Sequence, residues 1–440
     1  MKAHLKYLAY KLDTSFWFIP GLMIVLAIAF SFAIVSLDHA LQDASIDVST
    51  WLYGATPDGA RQLLTTIASS TITVTSLVFS MTLVSLTLAS QQLGPRLLEN
   101  FIRNRANQLV IGYFVSTFVY SLLVLRAVSD VSGTQFVPLC ATAAAIGLSI
   151  VSSGILIFFI HHVAKSIQAD VVVADVSANL DKLITSHFAE TEDRGPAIPA
   201  DEGWPEDFDE KATPVYAVES GYIQTLDIRA LKSVAADRKI ALRLEYRPGH
   251  FIVEGSPIAH FFPGPDDSDD LRKEINSKFV IGPKRTSAQD VEYEMRVIAE
   301  IAIRALSPGI NDFYTAITCV DRLTVALVSV MNRRFPSADF RDEQGKIVLR
   351  TVPPDFAGLL DTAFNDIRQS AHGNTAVTIR LLESLTVLAK MSAQAEHKGV
   401  IGNHIDMVGR AAAEFIFDPN DKSDADERLK EARQSLARRP

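Results

Sequence analysis

Long uncharged stretches alternate with short charged segments over the first 165 residues of the chain. Four stretches are long and apolar: Phe16–Leu37, a run within Gln62–Leu93, the run between Arg105 and Arg126, and about Phe136–Ile160. A helix needs about 20 residues to cross the roughly 30 Å hydrocarbon core of a bilayer. Each stretch is that long, so the pattern predicts a bundle of four transmembrane helices.

Hydroxyl residues recur along one face of the second predicted span. They are Ser69, Thr73, Ser76, Ser80 and Thr87, at spacings of 4, 3, 4 and 7 residues. Lipid chains offer no hydrogen-bond partner, so we expect this face to meet protein or water. Two interpretations remain open. The hydroxyls can line a water-filled path and replace part of an ion's hydration, or they can pack and bond across a helix interface.

Small residues form a similar stripe on the fourth predicted span. Ala143, Gly147 and Gly154 recur at helical spacing, with Ser149 and Ser153 beside them. Small side chains let membrane helices approach closely. The stripe therefore predicts tight packing within the bundle or between subunits.

Basic residues in the short loops predict the orientation of the spans. Lys2, Lys6 and Lys11 precede the first span, whereas the loop after it, expected to begin at Asp38, is acidic. Basic residues return after the second span, and Lys165 follows the fourth. Because cytoplasmic loops carry the excess of lysine and arginine, we expect both termini in the cytoplasm.

The pattern changes after the spans and predicts four regions in all. Residues 1–165 form the transmembrane domain, 166–213 a helical stalk and acidic linker, 214–285 a small β-rich domain, and 286–440 a helical domain with a charged tail. Runs rich in β-branched and aromatic residues, such as Tyr222–Leu226 and Ile240–Tyr246, predict strands. The predicted fold class is a membrane α-helical bundle of four transmembrane helices followed by a cytoplasmic α+β region.

Composition and charge limit the possible partners. Hydrophobic residues make up 48% of the 440 residues and charged residues 21%, as expected for a membrane part joined to a water-exposed part. Much of the net charge of −9 lies in the acidic segment Glu190–Lys211. The sequence has no basic patch with interleaved aromatic residues, so we expect no nucleic-acid partner. Cys140 and Cys319 are too few for a disulfide framework.

Sequence motifs of catalysis are absent. The chain has no Walker-type phosphate loop, no Gly-x-Gly-x-x-Gly, no His-Glu-x-x-His, no Gly-x-Ser-x-Gly and no Cys-x-x-Cys. We therefore expect no enzymatic activity, no metal and no cofactor.

Two further segments are candidate sites. The turn containing Arg304, Ser307, Gly309 and Asn311 lies between two predicted helices. Amides at a helix start can bind an anion, although a capped helix hairpin explains the same residues.

His161 and His162 end the fourth predicted span. Histidine titrates near neutral pH and can act as a pH sensor. Neighbouring residues of a helix point in directions about 100° apart, so the pair does not suit a single metal ion. A solvated pair at the membrane interface is the alternative interpretation.

Two motifs carry a resemblance to a known family. One is Gln91-Gln92-Leu93-Gly94-Pro95-Arg96 at the end of the hydroxyl-rich span, and the other is Arg304-Ala305-Leu306-Ser307-Pro308-Gly309-Ile310-Asn311-Asp312. With the four spans, they resemble a bacterial family of predicted integral membrane proteins that is catalogued as a domain of unknown function. The resemblance covers nearly the whole chain and implies the membrane topology, but it implies no activity and no catalytic residue.

These observations predict an oligomeric inner-membrane channel or permeation protein with a cytoplasmic domain for gating or assembly. Four helices enclose little space, so a pore would need several copies of the chain. The expected partners are membrane lipid, further copies of the chain, and a small ion or ligand. The alternative is a membrane-tethered regulatory or scaffold protein whose cytoplasmic domain binds a ligand or partner.

Overall fold

The chain divides into two compact units, Met1–Gln168 and Ala169–Pro440. The computed structural model describes residues 17–43, 56–94, 105–131, 134–166, 168–190, 204–263 and 268–437. The lysines before the first span, the loop arginines Arg96 and Arg103, and most of the acidic linker lie outside these residues. The chain as a whole is mostly helical, with a smaller sheet region.

The described part of the first unit contains four long helices and a short hairpin. They are α1 (Phe18–Asp43), α2 (Pro57–Leu93), α3 (Arg105–Ala127), β1 (Ser129–Val131), β2 (Thr134–Phe136) and α4 (Leu139–Ser166). Thr56 caps α2 by accepting a hydrogen bond from the Gly59 amide, and Pro57 has the fixed φ that suits a first helical turn. The 37 residues of α2 span about 55 Å, longer than a bilayer core is thick.

Helix α3 is the central helix of the first unit and packs against α1, α2 and α4. Its buried side chains include Phe114 and Tyr120, which lie in two apolar clusters with residues of the neighbouring helices. Gly112 allows the close approach to α1. A Cβ atom there would lie 2.6 Å from Met23 Sδ and 3.1 Å from Pro20 Cα.

The expected start of the first loop at Asp38 is wrong. Helix α1 continues through Asp38 to Asp43, and the Asp38 side chain is buried. Its two carboxylate oxygens accept hydrogen bonds from the amides of Cys140 and Ala141, each at 2.9 Å. A carboxylate is stabilised at a helix N-terminus, where free amides and the helix dipole favour negative charge. Asp38 therefore extends α1 because it finds its partners at the start of α4.

The second unit contains helices and short strands. In chain order they are α5 (Ala169–His187), β3 (Ala189–Glu190), α6 (Phe208–Lys211), β4 (Thr213–Tyr216), β5 (Gly221–Leu226), α7 (Ile228–Asp237), β6 (Ala241–Leu244), β7 (Phe251–Ile252), β8 (Pro257–Phe262), α8 (Ser268–Asn276), β9 (Phe279–Gly282), α9 (Val291–Ala305), α10 (Phe313–Met331), β10 (Arg333–Arg334), β11 (Asp339–Arg341), β12 (Ile347–Arg350), α11 (Phe356–Ser370), α12 (Thr375–Met391), α13 (Ala395–Phe415) and α14 (Pro419–Ala437).

The strand-rich region is an interlocked duplication. Its elements follow the order strand–strand–helix–strand twice, first β4-β5-α7-β6 and then β7-β8-α8-β9. The middle strand of each repeat pairs with the first and third strands of the other: β5 with β7 and β9, and β8 with β4 and β6. Val218-Glu219 and Val253-Glu254 occupy corresponding positions before the middle strands. Because each repeat completes the sheets of the other, the region folds as one body around one core.

Helices α9 to α14 make up most of the remaining second unit, together with α5 and strands β10 to β12. Helix α10 packs against α5, α9, α11 and α12. Its buried face includes Cys319, Leu323 and Leu327, and Asp312 caps its start. Among the described residues, α10 is a fifth helix long and apolar enough to cross a membrane, beside α1 to α4. Length and composition thus allow five spans, and the count of four stays a prediction.

Candidate functional site

The predicted hydroxyl face of α2 lies on the outside of the first unit. Ser69, Thr73, Ser76, Ser80 and Thr87 are all exposed. Ser76 and Ser80 line an open groove of about 570 Å³, together with residues of α3 and the start of α1. The face therefore encloses no path inside a single chain, and what covers it in the bilayer is the functional question of this unit.

Hydroxyls of α2 also bond to their own helix. Thr73 donates to the Ser69 carbonyl at 2.8 Å and Thr87 to the Leu83 carbonyl at 2.9 Å. Thr75 and Thr82 likewise donate to the carbonyls four residues earlier in the helix. A hydroxyl that donates to the carbonyl four residues earlier is satisfied without leaving the helix. The face can therefore sit at an interface that is only partly polar.

The turn between α9 and α10 is closed by its own contacts. Ser307 Oγ donates to the Arg304 carbonyl at 2.6 Å, and the Asn311 amide donates to the Ser307 carbonyl at 2.9 Å. Asn311 has a φ of 51°, which asparagine tolerates better than most residues. Asp312 accepts from the Thr315 amide at 3.1 Å. These contacts form a capped helix hairpin with Gly309 at its open tip, and anion binding there stays a prediction.

The two histidines at the end of α4 differ in surroundings. His161 is exposed, whereas His162 is half-buried and its ring stacks on Phe158 at a centroid distance of 5.7 Å. The two side chains therefore do not form a joint site. A pH-sensing role for either stays a prediction.

Sequence reasoning missed a cluster of two arginines and two acids in the second unit. Arg247 is the third residue after β6, and Arg285 is the third residue after β9. They are thus equivalent positions of the two repeats. Arg247 pairs with Glu292, and Arg285 Nη2 lies 2.7 Å from Asp290 Oδ2. The repeat pairing therefore brings both arginines to the start of α9.

Gly249 lets the backbone pass close to this cluster. Its φ is +92°, which strongly favours glycine, and a Cβ atom there would overlap Asp290 Oδ2. Burial raises the pKa of Asp290, against the opposing effect of Arg285. Burial also lowers the pKa of His250, as does the positive charge of Arg247 beside it. His250 is therefore neutral at pH 7, and the two arginines carry the positive charge of the site.

A cavity of about 200 Å³ adjoins the cluster. Arg247, Asp290 and Glu292 form part of its wall, and most of the remaining wall is apolar. The apolar lining includes Phe188, Leu244, Tyr246, Phe340, Val352 and Pro353. Gln289 closes one side, because its amide group bonds to both the N–H and the carbonyl of Leu226. The cavity thus combines an apolar lining with a charged patch on one side.

The signal that could have revealed this site is the repeated spacing of an arginine after a strand. The repeats are weak in sequence and become evident only through their strand pairing. Over the described ranges, no group of three or more histidine, cysteine or acidic side chains is arranged to hold a metal ion.

Several long apolar helices joined to a mixed unit of helices and strands are typical of a membrane protein. Residues 13–387 match the family described as "Predicted membrane protein (DUF2254)", and the chain belongs to that family. The resemblance seen in the sequence motifs is thereby confirmed. Uncharacterized proteins of Mycobacterium bovis and Mycobacterium tuberculosis are 30% identical over 428 residues, which is 96% of this chain and 80% of each relative. No solved structure matches the chain.

Proposed function

We propose that the protein is an inner-membrane permeation protein that assembles from several copies, with the hydroxyl face of α2 lining the path. The supporting observation is that this face is exposed on the outside of the single-chain bundle. Thr73 and Thr87 donate to carbonyls of their own helix. Ser76 and Ser80 would have poor surroundings against acyl chains, whereas a second copy or a water-filled path gives them partners.

Two other surfaces support assembly. Ser76 and Ser80 lie in a groove that a side chain of another copy can enter. On α4, Gly147 and Gly154 are exposed and have open space where a Cβ atom would lie. Exposed small residues on a membrane helix suit close packing against a further helix.

We further propose four spans, α1 to α4, with both termini in the cytoplasm. Helix α10 is apolar, but Asp321 and Arg322 lie in its middle and Asp321 pairs with Arg380 of α12. Charges at the centre of a lipid-exposed helix are costly. Helix α10 is better explained as a core helix of a cytoplasmic second unit, which would control the path or its assembly.

Flux measurements on the full chain in liposomes test the permeation proposal. We expect ion flux from the wild type, and we expect Ser76→Leu with Ser80→Leu to reduce it at least about tenfold, because leucine removes the hydroxyls and narrows the path. The matched control is Ser70→Leu, which replaces an exposed hydroxyl of α2 about 100° around the helix from Ser69 and should leave flux unchanged. Folded wild-type protein in tight, flux-free vesicles would refute conduction.

Disulfide cross-linking tests the assembly separately. In a background with Cys140 replaced by alanine, Ser76→Cys should give covalent dimers on oxidation in the membrane if α2 faces another copy. Leu122→Cys, at an exposed position of α3, is the comparison. Equal cross-linking of both variants would argue against α2 as the interface.

A second candidate function is that of a membrane-anchored ligand-binding protein. The observation that favours it is the cavity beside Arg247, which is enclosed by elements of the second unit alone. In this case the helices only anchor the protein. Binding without flux would favour this candidate over permeation.

A further inference from the structure

We propose that the cavity beside Arg247 binds a small apolar carboxylate, with one ring or a short branched chain as its body and Arg247 as the partner of its carboxylate. This inference deepens the second candidate function. It does not depend on conduction by the first unit.

The size of the cavity limits the body of the ligand. A dry apolar cavity of about 150 Å³ can hold benzene, and this cavity measures about 200 Å³. It therefore has room for one ring with a short substituent. This volume favours a free small acid over the long acyl chain of a membrane lipid.

The lining defines the chemistry of the body. Phe188 and Leu244 are each 1% exposed, so the inner wall is shielded from water. Tyr246, Phe340 and Pro353 continue the apolar surface. Burial of an apolar ligand against such a wall contributes about 25 cal/mol per Å². Val352 also lines the cavity and is 36% exposed, which places it at the mouth.

The charged wall favours an anionic over a cationic headgroup. Both oxygens of Asp290 are engaged, one by Arg285 and the other by the Tyr293 amide at 3.0 Å. Glu292 is engaged by Arg247. A ligand cation would find both carboxylates already paired.

Arg247 has donors to spare. A guanidinium presents five N–H donors in a planar fork, and Arg247 uses its Nη2 group for Glu292. The remaining donors suit a carboxylate, which arginine can bind through two parallel hydrogen bonds. Arg285 adds a second positive charge on the far side of Glu292, where its Nη2 lies 3.9 Å from Glu292 Oε2. An incoming carboxylate therefore meets Arg247 in the cavity wall, while Arg285 lies behind the two acids and offsets part of their negative charge.

Ligand-observed NMR on the full chain in lipid nanodiscs tests the inference. The probes are phenylacetate and isovalerate, with phenylacetamide as the neutral analogue of the first. We expect saturation transfer to both acids with a Kd of about 1 mM or tighter. We expect the amide to bind at least about tenfold more weakly, because it lacks the charge that strengthens hydrogen bonds to arginine.

Two variants locate the binding. Val352→Phe should block the mouth and abolish saturation transfer, whereas Val325→Phe, at an exposed position of α10, should leave it unchanged. Arg247→Gln combined with Glu292→Gln removes the charged pair without leaving a lone buried charge, and should raise the Kd at least about tenfold.

Several outcomes would overturn the inference. They are no binding of either acid by folded protein, equal binding by Val352→Phe, equal binding of the amide, or an unchanged Kd in the double glutamine variant. Flux assays on the same preparation keep the two proposals apart. Binding without flux removes conduction alone, and flux without binding removes the ligand site alone.

Discussion

In the first unit, hydroxyls such as Thr75 and Thr82 donate to carbonyls four residues earlier in the same helix. In the second unit, Arg285, Arg350 and Arg380 pair with acids of other turns, strands or helices. Exposed large apolar residues also lie densely along the helices of the first unit, as at Leu26 and Ile157, and are sparser in the second unit, where Phe417 is an example.

Hydroxyls of the second unit, such as Thr324 and Thr386, also donate to carbonyls four residues earlier. The units therefore differ in their charged pairs and in their exposed apolar surface, as lipid and water would each favour. In lipid, a polar group needs a partner nearby, and the partner that is always present is its own helix backbone. In water, burial of apolar surface drives folding, and charged groups can remain at the edges of the core. The exposed hydroxyl face of α2 and the charged cavity wall beside Arg247 are therefore different kinds of site. The following variants test the contacts that stabilise each unit.

The largest effect is expected at Gly249 in the second unit. Gly249→Ala should lower the free energy of unfolding by about 3 kcal/mol or more, because the new methyl group displaces the buried Asp290–Arg285 pair. Gly255→Ala is the control. It has a φ of +80° but open space around a Cβ atom, so it should cost only about 1 kcal/mol for the backbone strain. Denaturant unfolding of the full chain measures both, and equal losses would contradict the close approach.

A smaller effect is expected at Gly112 in the first unit. Gly112→Val should destabilise the bundle by about 1–3 kcal/mol, because the added atoms force α1 and α3 apart. Gly21→Val is the matched control on α1, where no atom lies within 4 Å of the added Cβ. Melting temperatures in one detergent compare the two variants. A tolerated Gly112→Val would mean that α1 and α3 do not pack as described.

Replacement of Asp38 should lower the free energy of unfolding by about 1–2 kcal/mol, the usual scale for losing a helix cap. Asp38→Ala leaves the amides of Cys140 and Ala141 without their acceptor at the start of α4. Asp58→Ala, at an exposed position in the first turn of α2, should change the melting temperature little. If the two variants behave alike, Asp38 does not hold α1 to α4.

The smallest expected effect is a pH dependence confined to the second unit. Burial lowers the pKa of His250, His397 and His404 from the ordinary value of 6.5. The unfolded chain then binds more protons just below pH 6.5, so stability is full above that pH and falls as the pH drops towards the folded pKa values.

Unfolding midpoints at pH 7.5 and pH 5.5 check this dependence. His404→Gln should reduce the loss of stability between the two pH values. The other two histidines should still cause part of that loss. His404 is the most informative of the three, since it is 2% exposed and its Nε2 lies 3.0 Å from Asp361 Oδ1. An unchanged pH dependence in this variant would show that His404 is not the residue responsible.

Local signals in the sequence predicted several elements well. The strand expected at Tyr222–Leu226 corresponds to β5, and the expected capped hairpin is present between α9 and α10. The predicted end of the first span was wrong. The partners of Asp38 are about a hundred residues away, and no local pattern reveals them. The cavity beside Arg247 was missed for the same reason, since its walls come from distant segments.

The sequence by itself determined that long apolar helices are present, that one carries hydroxyls on a single face, and that a mixed helix-and-strand region follows. These features follow from periodicity and turn chemistry, which act over a few residues. Only the tertiary structure decided that the hydroxyl face lies outside the single bundle, that two repeats exchange their middle strands, and that Arg247 and Arg285 meet at one helix start. Such features depend on which distant surfaces pack together, and packing is chosen by the burial and pairing of the whole chain.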